Sequence, residues 1–284
     1  MVKTVIIAVS DVHLGYTKQK DDFKNFLDYI KEKEVHRLVI IGDFLDMWRR
    51  DIAGVVIQNT DIFWKLEELQ NQNKIIDIIA GNHDYHIKNL KKEYGYQFSF
   101  HESGLDIVEY GKIYSFYHGY EFDNFQNEAY FEALCYTSDV TGEQFSDFWE
   151  YLQKGDKFWQ RFLNFFRKKN IEEAVKAMLT PPEQRLEKEY DKVRRKALKE
   201  KEDKGKDFLI YGHTHEPFVD QTQTIANTGS WVKPEIDPGK IPHYNTYLEI
   251  YEDSIILKKW VKGKEEMIKP KFSTTQLERL AKLW

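Results

Sequence analysis

The chain has 284 residues, 41% of them hydrophobic and 31% charged, with a formal net charge of −5. That length suits one α/β core carrying an insertion, and the acidic balance excludes a protein held to nucleic acid by overall charge alone. The single cysteine, Cys135, excludes an intrachain disulfide framework and a cysteine-rich metal site; it reads as a small buried hydrophobe in a helix.

The opening MVKTVIIAVSDVHLG holds only a short apolar run, and Asp11 and His13 follow it with no small-residue cleavage pattern. It predicts a first strand over 5–10, not a signal peptide. No run approaches the roughly 20 apolar residues of a spanning helix, so the expectation is a soluble, cytoplasmic protein, with peripheral contact to a membrane surface left open. Further continuous apolar runs at Arg37–Ile41 and Lys74–Ala80 suit strands buried on both faces. Helical patterns at Asp21–Lys33 and about Ile52–Gln72 alternate with them, which implies a mostly parallel sheet with crossover helices. Ile107–Tyr110 and Ile113–Tyr117 read as a hairpin turning at Gly111-Lys112.

After His118-Gly119 the character changes. Residues 120–206 carry no strand pattern, are rich in aromatics, and end in a charged helical stretch, Glu183–Lys206, preceded by the break Pro181-Pro182. This segment reads as a helical insertion in a single domain spanning 1–284, and the run Arg194-Arg195-Lys196 reads as a solvated face. Strand patterns resume at Asp207–Tyr211, Pro217–Asp220, Thr224–Thr228, Thr246–Tyr251 and Ser254–Trp260 and are expected to form a second sheet packed on the first. Lys271–Trp284 reads as a terminal helix.

The chemistry lies where strands exit into loops. Asp11-Val12-His13 follows the first strand, Gly42-Asp43 the second, Gly81-Asn82-His83-Asp84 the third; His118-Gly119 and Gly212-His213-Thr214-His215 follow later ones. Parallel strands set such exits along one edge, where ligands bind. Imidazole, carboxylate and one amide, with no thiolate, suit Mn²⁺, Fe or Zn²⁺. Asp43 can bridge two cations because a carboxylate has two oxygens, and Asn82 can offer a carbonyl oxygen. The glycines before Asp43, Asn82 and His213 are expected to let the backbone turn sharply. Asp-x-His or Gly-Asp alone would usually be a surface loop or a turn, but turn chemistry explains neither Gly-Asn-His-Asp nor Gly-His-Thr-His. His36, His86, His101 and His243 match no motif and read as surface or structural residues.

This motif series resembles the calcineurin-like metallophosphoesterase superfamily on both sides of the insertion. The resemblance implies an αββα four-layer sandwich, two mixed sheets flanked by helices, and two divalent metal ions, Mn²⁺ first with Fe or Zn²⁺ also suited. It implies one ion held by Asp11, His13, Asp43 and His215, and another by Asp43, Asn82, His118 and His213. His83 would act on the phosphate as a proton donor or charge stabiliser, oriented by Asp84. A metal-bridging hydroxide would then attack a phosphodiester or pyrophosphate bond in line.

Ser10-Asp11-Val12-His13-Leu14-Gly15, Asp46-Met47-Trp48 and the place of the insertion are similar to the UDP-2,3-diacylglucosamine pyrophosphohydrolase branch. That resemblance implies a nucleotide-diphosphate lipid-like, partly apolar substrate beneath the insertion, where Trp159, Arg161, Phe162 and Phe166 would contact it. His83 departs from the branch's best-studied members, which carry Arg there. Two other readings follow from the same motifs: a nuclease or cyclic-nucleotide phosphodiesterase, with nucleic acid as an alternative substrate stacked on the aromatics, and a non-catalytic metal-binding scaffold.

Overall fold

The computed structural model describes residues 6–16, 18–47, 50–85, 87, 98–122, 182–233 and 243–268, without the side chains of 182–189. Strands β1 (Ile6–Val9), β2 (Arg37–Ile41) and β3 (Ile75–Ile79) form from aliphatic, largely β-branched runs. Their side chains alternate between two cores. Ile7, Val9, Leu38, Ile40, Ile76 and Ile78 join the apolar residues of helices α1 (Lys20–Glu32) and α3 (Thr60–Asn71). Ile6, Ala8, Val39, Ile41 and Ile79 join the second sheet. Each fully buried isoleucine contributes about 1.5–3 kcal/mol, and burial on both faces fixes these strands between a helix layer and a second sheet. On α1, Phe23, Phe26, Leu27 and Ile30 recur at i, i+3, i+4 and i+7 and are buried.

The remaining strands are β4 (Ser99–His101), β5 (Leu105–Glu109), β6 (Lys112–Tyr117), β7 (Phe208–Tyr211), β8 (Phe218–Val219), β9 (Ile225–Asn227), β10 (Thr246–Ile250), β11 (Ile255–Val261) and β12 (Lys264–Met267). One sheet runs β12-β11-β10-β1-β2-β3-β4 and the other β5-β6-β7-β9-β8. β1 to β4 are mutually parallel, as are β6, β7 and β9. The outer face of the second sheet, through Leu209, Tyr211 and Ile225, is covered by Val193 and Ala197 of α4 (Pro182–Asp203). The layers are therefore helix, sheet, sheet, helix: the αββα sandwich.

Several expectations are corrected. The single helix expected over 52–72 is two, α2 (Ile52–Gln58) and α3, broken at Asn59. The Asn59 amide donates to the Val55 carbonyl at 2.7 Å and so competes with helix continuation. The hairpin turns at Tyr110-Gly111, with φ of 53° and 72°, while Lys112 pairs with Glu109. That is the primed-turn geometry that matches strand twist. The last three strands extend the first sheet, β10 pairing antiparallel with β1, and do not join the second. β4 and the exposed β12 add strands for which the sequence gives no pattern. The charged helix is not merely solvated, since Val193 and Ala197 are buried. The aromatic part of the insertion, with Cys135, Trp159, Arg161, Phe162 and Phe166, and the terminal helix expected over 271–284 lie outside the described residues.

Candidate metal centre

The loop after β1 runs beside the loop after β2. The N–H groups of Asp11, His13 and Leu14 donate to the carbonyls of Gly42, Asp43 and Phe44 at 3.1, 2.9 and 2.9 Å. The Gly212 N–H donates to the His118 carbonyl at 2.8 Å, tying the β6 and β7 exits together. Among the described residues, ten non-glycine residues have positive φ, and five are Asp11, His13, Asp43, His213 and His215. Each such conformation costs on the order of 1–3 kcal/mol and persists only where its surroundings over-determine it, so half of this strain sits on the metal-ligand candidates.

The glycines act in two ways. Gly42 has φ of 71°, a true turn residue, and a Cβ there would also overlap His118 Nδ1. Gly81 and Gly212 lack positive φ; a Cβ would overlap Asp43 at the first and Ser10 and Asp11 at the second. Their role is close approach, which corrects the expectation that all three serve sharp turns.

Two groups of donors meet at Asp43. His13 Nε2 lies 3.6 Å and His118 Nε2 3.4 Å from the same oxygen, Asp43 Oδ2. Asp43 Oδ1 instead accepts the His83 backbone N–H at 2.7 Å. The atom shared by both groups is thus one carboxylate oxygen. On one side, Asp11 Oδ1 lies 3.0 Å from His215 Nε2 and 3.9 Å from His13 Nε2. On the other, Asn82 Oδ1 lies 2.9 Å from His118 Nε2 and 3.1 Å from His213 Nδ1.

The hydrogen bonds fix which ring nitrogens face inward. His13 Nδ1 donates to Asp46 Oδ2 at 3.1 Å, and His118 Nδ1 donates to the Ile41 carbonyl at 2.9 Å. Each leaves Nε2 pointing at acceptor oxygens, an arrangement that needs a cation or an extra proton between them. Among the described residues His13 Nε2 is buried without a hydrogen-bond partner, and Asp11 Oδ1 makes no hydrogen bond of good geometry although His215 Nε2 approaches it at 3.0 Å. Orphaned polar atoms, three acids and inward-facing imidazoles fit divalent ions, and Asp11, His13 and His215 on one side and Asp11, Asp43 and His118 on the other have ligand atoms close enough to share one.

The electrostatics agree. Burial pushes the carboxyls of Asp11, Asp43 and Asp46 up, but neighbouring histidines outweigh it and hold all three below the usual carboxylate range, Asp43 and Asp46 well below. Burial pushes His118 down, yet Asp43 and Asp11 drive it up to about 10. The pocket favours positive charge.

The Asp84 carboxylate accepts from Gly81, Asp43, Phe44 and Leu45 N–H groups at 2.7, 3.2, 2.7 and 3.2 Å. It braces the two loops that carry Asp43 and Asn82. Burial and the Asp43 charge raise Asp84 to about 7. The carboxylate beside His83 is Asp46: its Oδ1 lies 3.5 Å from His83 Nδ1 while its Oδ2 holds His13. Asp46 is fully buried. In the sequence Asp46 stands out only as part of a local motif, three residues after Asp43. His36 and His101 pair with Glu109 and Asp77 at 3.0 and 2.8 Å, as structural residues do.

Among the described residues no helix is long and apolar enough to cross a membrane. No curated protein matches the chain. Solved structures similar to it include a conserved Streptococcus pneumoniae TIGR4 protein described as a predicted phosphoesterase, at 14% identity, TM-score 0.39, covering 94% of this chain and 98% of that one. Vacuolar protein sorting 29 of Cryptosporidium parvum is similar at 13% identity, TM-score 0.45, covering 95% and 97%. The zinc complex of Vps29 from Entamoeba histolytica is similar at 15% identity, TM-score 0.40, covering 93% and 96%. The family model for calcineurin-like phosphoesterases matches residues 4–217, from β1 through the Gly-His-Thr-His loop, and the chain belongs to that family.

Proposed function

We propose that this protein is a dinuclear-metal phosphoesterase, one catalytic domain over 1–284 with the insertion 120–206 beside its cleft. The observation that carries the reading is the convergence of His13 Nε2 and His118 Nε2 on Asp43 Oδ2, which supports two donor sets sharing one oxygen. Asp11, His13, Asp43 and His215 would hold one ion, and Asp43, Asn82, His118 and His213 the other. When bound, the ions polarise a phosphoryl oxygen and make a water acidic enough to supply the nucleophile near neutral pH.

The chain's own residues do the rest. Asp46 fixes the His13 tautomer so that Nε2 faces inward, and its other oxygen attracts His83 Nδ1, leaving His83 Nε2 to stabilise charge or donate a proton to a leaving oxygen. His83 edges against the His13 ring with centroids 4.6 Å apart, which sets it beside the donor set. Asp84 locks the two loops through four N–H groups.

The substrate proposed is a phosphodiester or pyrophosphate with an apolar portion, a nucleotide-diphosphate lipid in the branch suggested by the local motifs. A cavity of about 490 Å³ lined by apolar side chains, among them Phe44, Leu45, Met47 and Ile87, lies on the helix side of the first sheet and is lined by none of the metal-ligand candidates, so the apolar portion of the substrate rests on the local motifs alone. The test is hydrolysis with Mn²⁺ across bis-p-nitrophenyl phosphate, a nucleotide-diphosphate lipid, a cyclic nucleotide and single-stranded DNA. Chelator-sensitive turnover of the first two supports the reading. Preference for DNA or the cyclic nucleotide would move the substrate to the nucleic-acid side, and metal binding without turnover of any substrate would make the protein a scaffold.

A further inference from the structure

Helix α4 does more than cover the second sheet. α4 packs on both loops that carry the second sheet's metal-ligand candidates. At the β6 exit, the turn Tyr120–Phe122 follows His118-Gly119. Phe122 shares one buried cluster with Val193 and Ala197 of α4 and with Tyr211, the last residue of β7. In the same turn Glu121 Oε2 accepts the Gly119 N–H at 2.7 Å. At the β7 exit, Arg194 Nη2 reaches Glu216 Oε2 at 3.1 Å, the residue after His215. The Arg194 guanidinium lies 4.2 Å from the centroid of the Phe218 ring, two residues further on. This corrects the solvated face expected for Arg194.

The loop it grips needs gripping. His213 and His215 have φ of 64° and 57°, and such conformations relax unless held. From the core side, Asp11 Oδ2 accepts the His213 N–H at 2.9 Å, and the Asn227 amide donates to the Gly212 carbonyl at 2.7 Å and Thr214 Oγ1 at 3.1 Å. From the outer side, among the described residues, Arg194 contacts the loop's end through Glu216 and Phe218. We infer that Arg194 is a positioning residue for the metal centre: through Glu216 and Phe218 it holds the Gly-His-Thr-His loop in its metal-competent form, so that the insertion's helix sets how tightly cations bind. The inference rests on the metal-centre reading above. A planar guanidinium that both pairs and stacks is matched to this double contact in a way an ammonium is not.

The experiment is Mn²⁺ titration of the full chain, read by calorimetry and by thermal shift without substrate. Residues that orient ligands typically change metal affinity by 10–100-fold when removed. Arg194→Ala should weaken Mn²⁺ binding by about tenfold or more, Arg194→Lys should fall between it and wild type, and Lys199→Ala, exposed on the same helix, should match wild type. If Arg194→Ala lowers only the metal-free melting temperature and leaves Mn²⁺ affinity unchanged, the residue is merely structural and the inference is overturned. If Arg194→Ala does not fold, Glu216→Gln carries the test, with the same weakening expected and unchanged affinity overturning it. Wild-type protein that binds no Mn²⁺ would instead overturn the metal-centre reading itself.

Discussion

Asp46→Asn separates the account from one built on ligands alone. Asp46 is fully buried, with Oδ2 3.1 Å from His13 Nδ1 and Oδ1 3.5 Å from His83 Nδ1. The substitution keeps shape and one acceptor but removes the charge that strengthens His13 as a ligand, and it turns an amide N–H₂ toward one of the two imidazoles. Partners of this kind are worth about 10–100-fold in metal affinity, or about 1.4–2.7 kcal/mol at 1.36 kcal/mol per decade. The expected outcome is a Mn²⁺ midpoint for bis-p-nitrophenyl phosphate hydrolysis raised by that factor. At saturating Mn²⁺ a residual loss of kcat should persist, because His83 is no longer held. A variant with the wild-type midpoint and kcat would refute the reasoning and reduce Asp46 to packing.

Three further outcomes follow from the same geometry. His83→Ala should lower kcat by about 10²–10⁴-fold while elemental analysis finds metal content unchanged; metal loss would make His83 a ligand. Gly212→Ala puts a Cβ onto Ser10 Oγ and Asp11 Oδ2, an overpacking of about 1–3 kcal/mol, so calorimetry should find a lower melting temperature together with weakened Mn²⁺ binding, and an unperturbed variant would contradict the close-approach role. For acid stability, burial raises the Glu265 carboxyl, but hydrogen bonds from Lys258 and Tyr29 and the Lys33 charge outweigh it and hold it at about 2 against an ordinary 4.5. A depressed folded value stabilises above the unfolded pKa and is lost as pH falls toward the folded one. The stability gap between wild type and Glu265→Gln should therefore shrink from pH 5 to pH 2 in chemical denaturation, by a modest amount because the group is partly exposed; a constant gap would contradict it.

The parts of this molecule legible in sequence are those where one physical demand dominates. Ile6–Val9, Leu38–Ile41 and Ile76–Ile79 are buried on both faces, so their apolar runs are nearly continuous. The seven metal-ligand candidates stood out because turns do not require histidines. Contacts between distant segments were not legible. Nothing local marks Asp84 as a brace for Asp43, Phe44 and Leu45, or Asp46 as the partner of His13 and His83, because those distances exist only once the β1, β2 and β3 loops meet. β10 lies beside β1 through backbone pairing that leaves no mark in the intervening sequence. β12, Lys264–Met267, is exposed at every residue and held by its ladder to β11, so it lacks any apolar pattern.

The central proposal is that Asp43 would belong to both donor sets and so help to hold two cations. It is tested most directly by anomalous diffraction from crystals of the wild-type protein soaked in Mn²⁺. The account predicts two peaks about 3.5–4 Å apart, one among Asp11, His13, Asp43 and His215, the other among Asp43, Asn82, His118 and His213. A single peak away from Asp43, or none at saturating Mn²⁺, would contradict it.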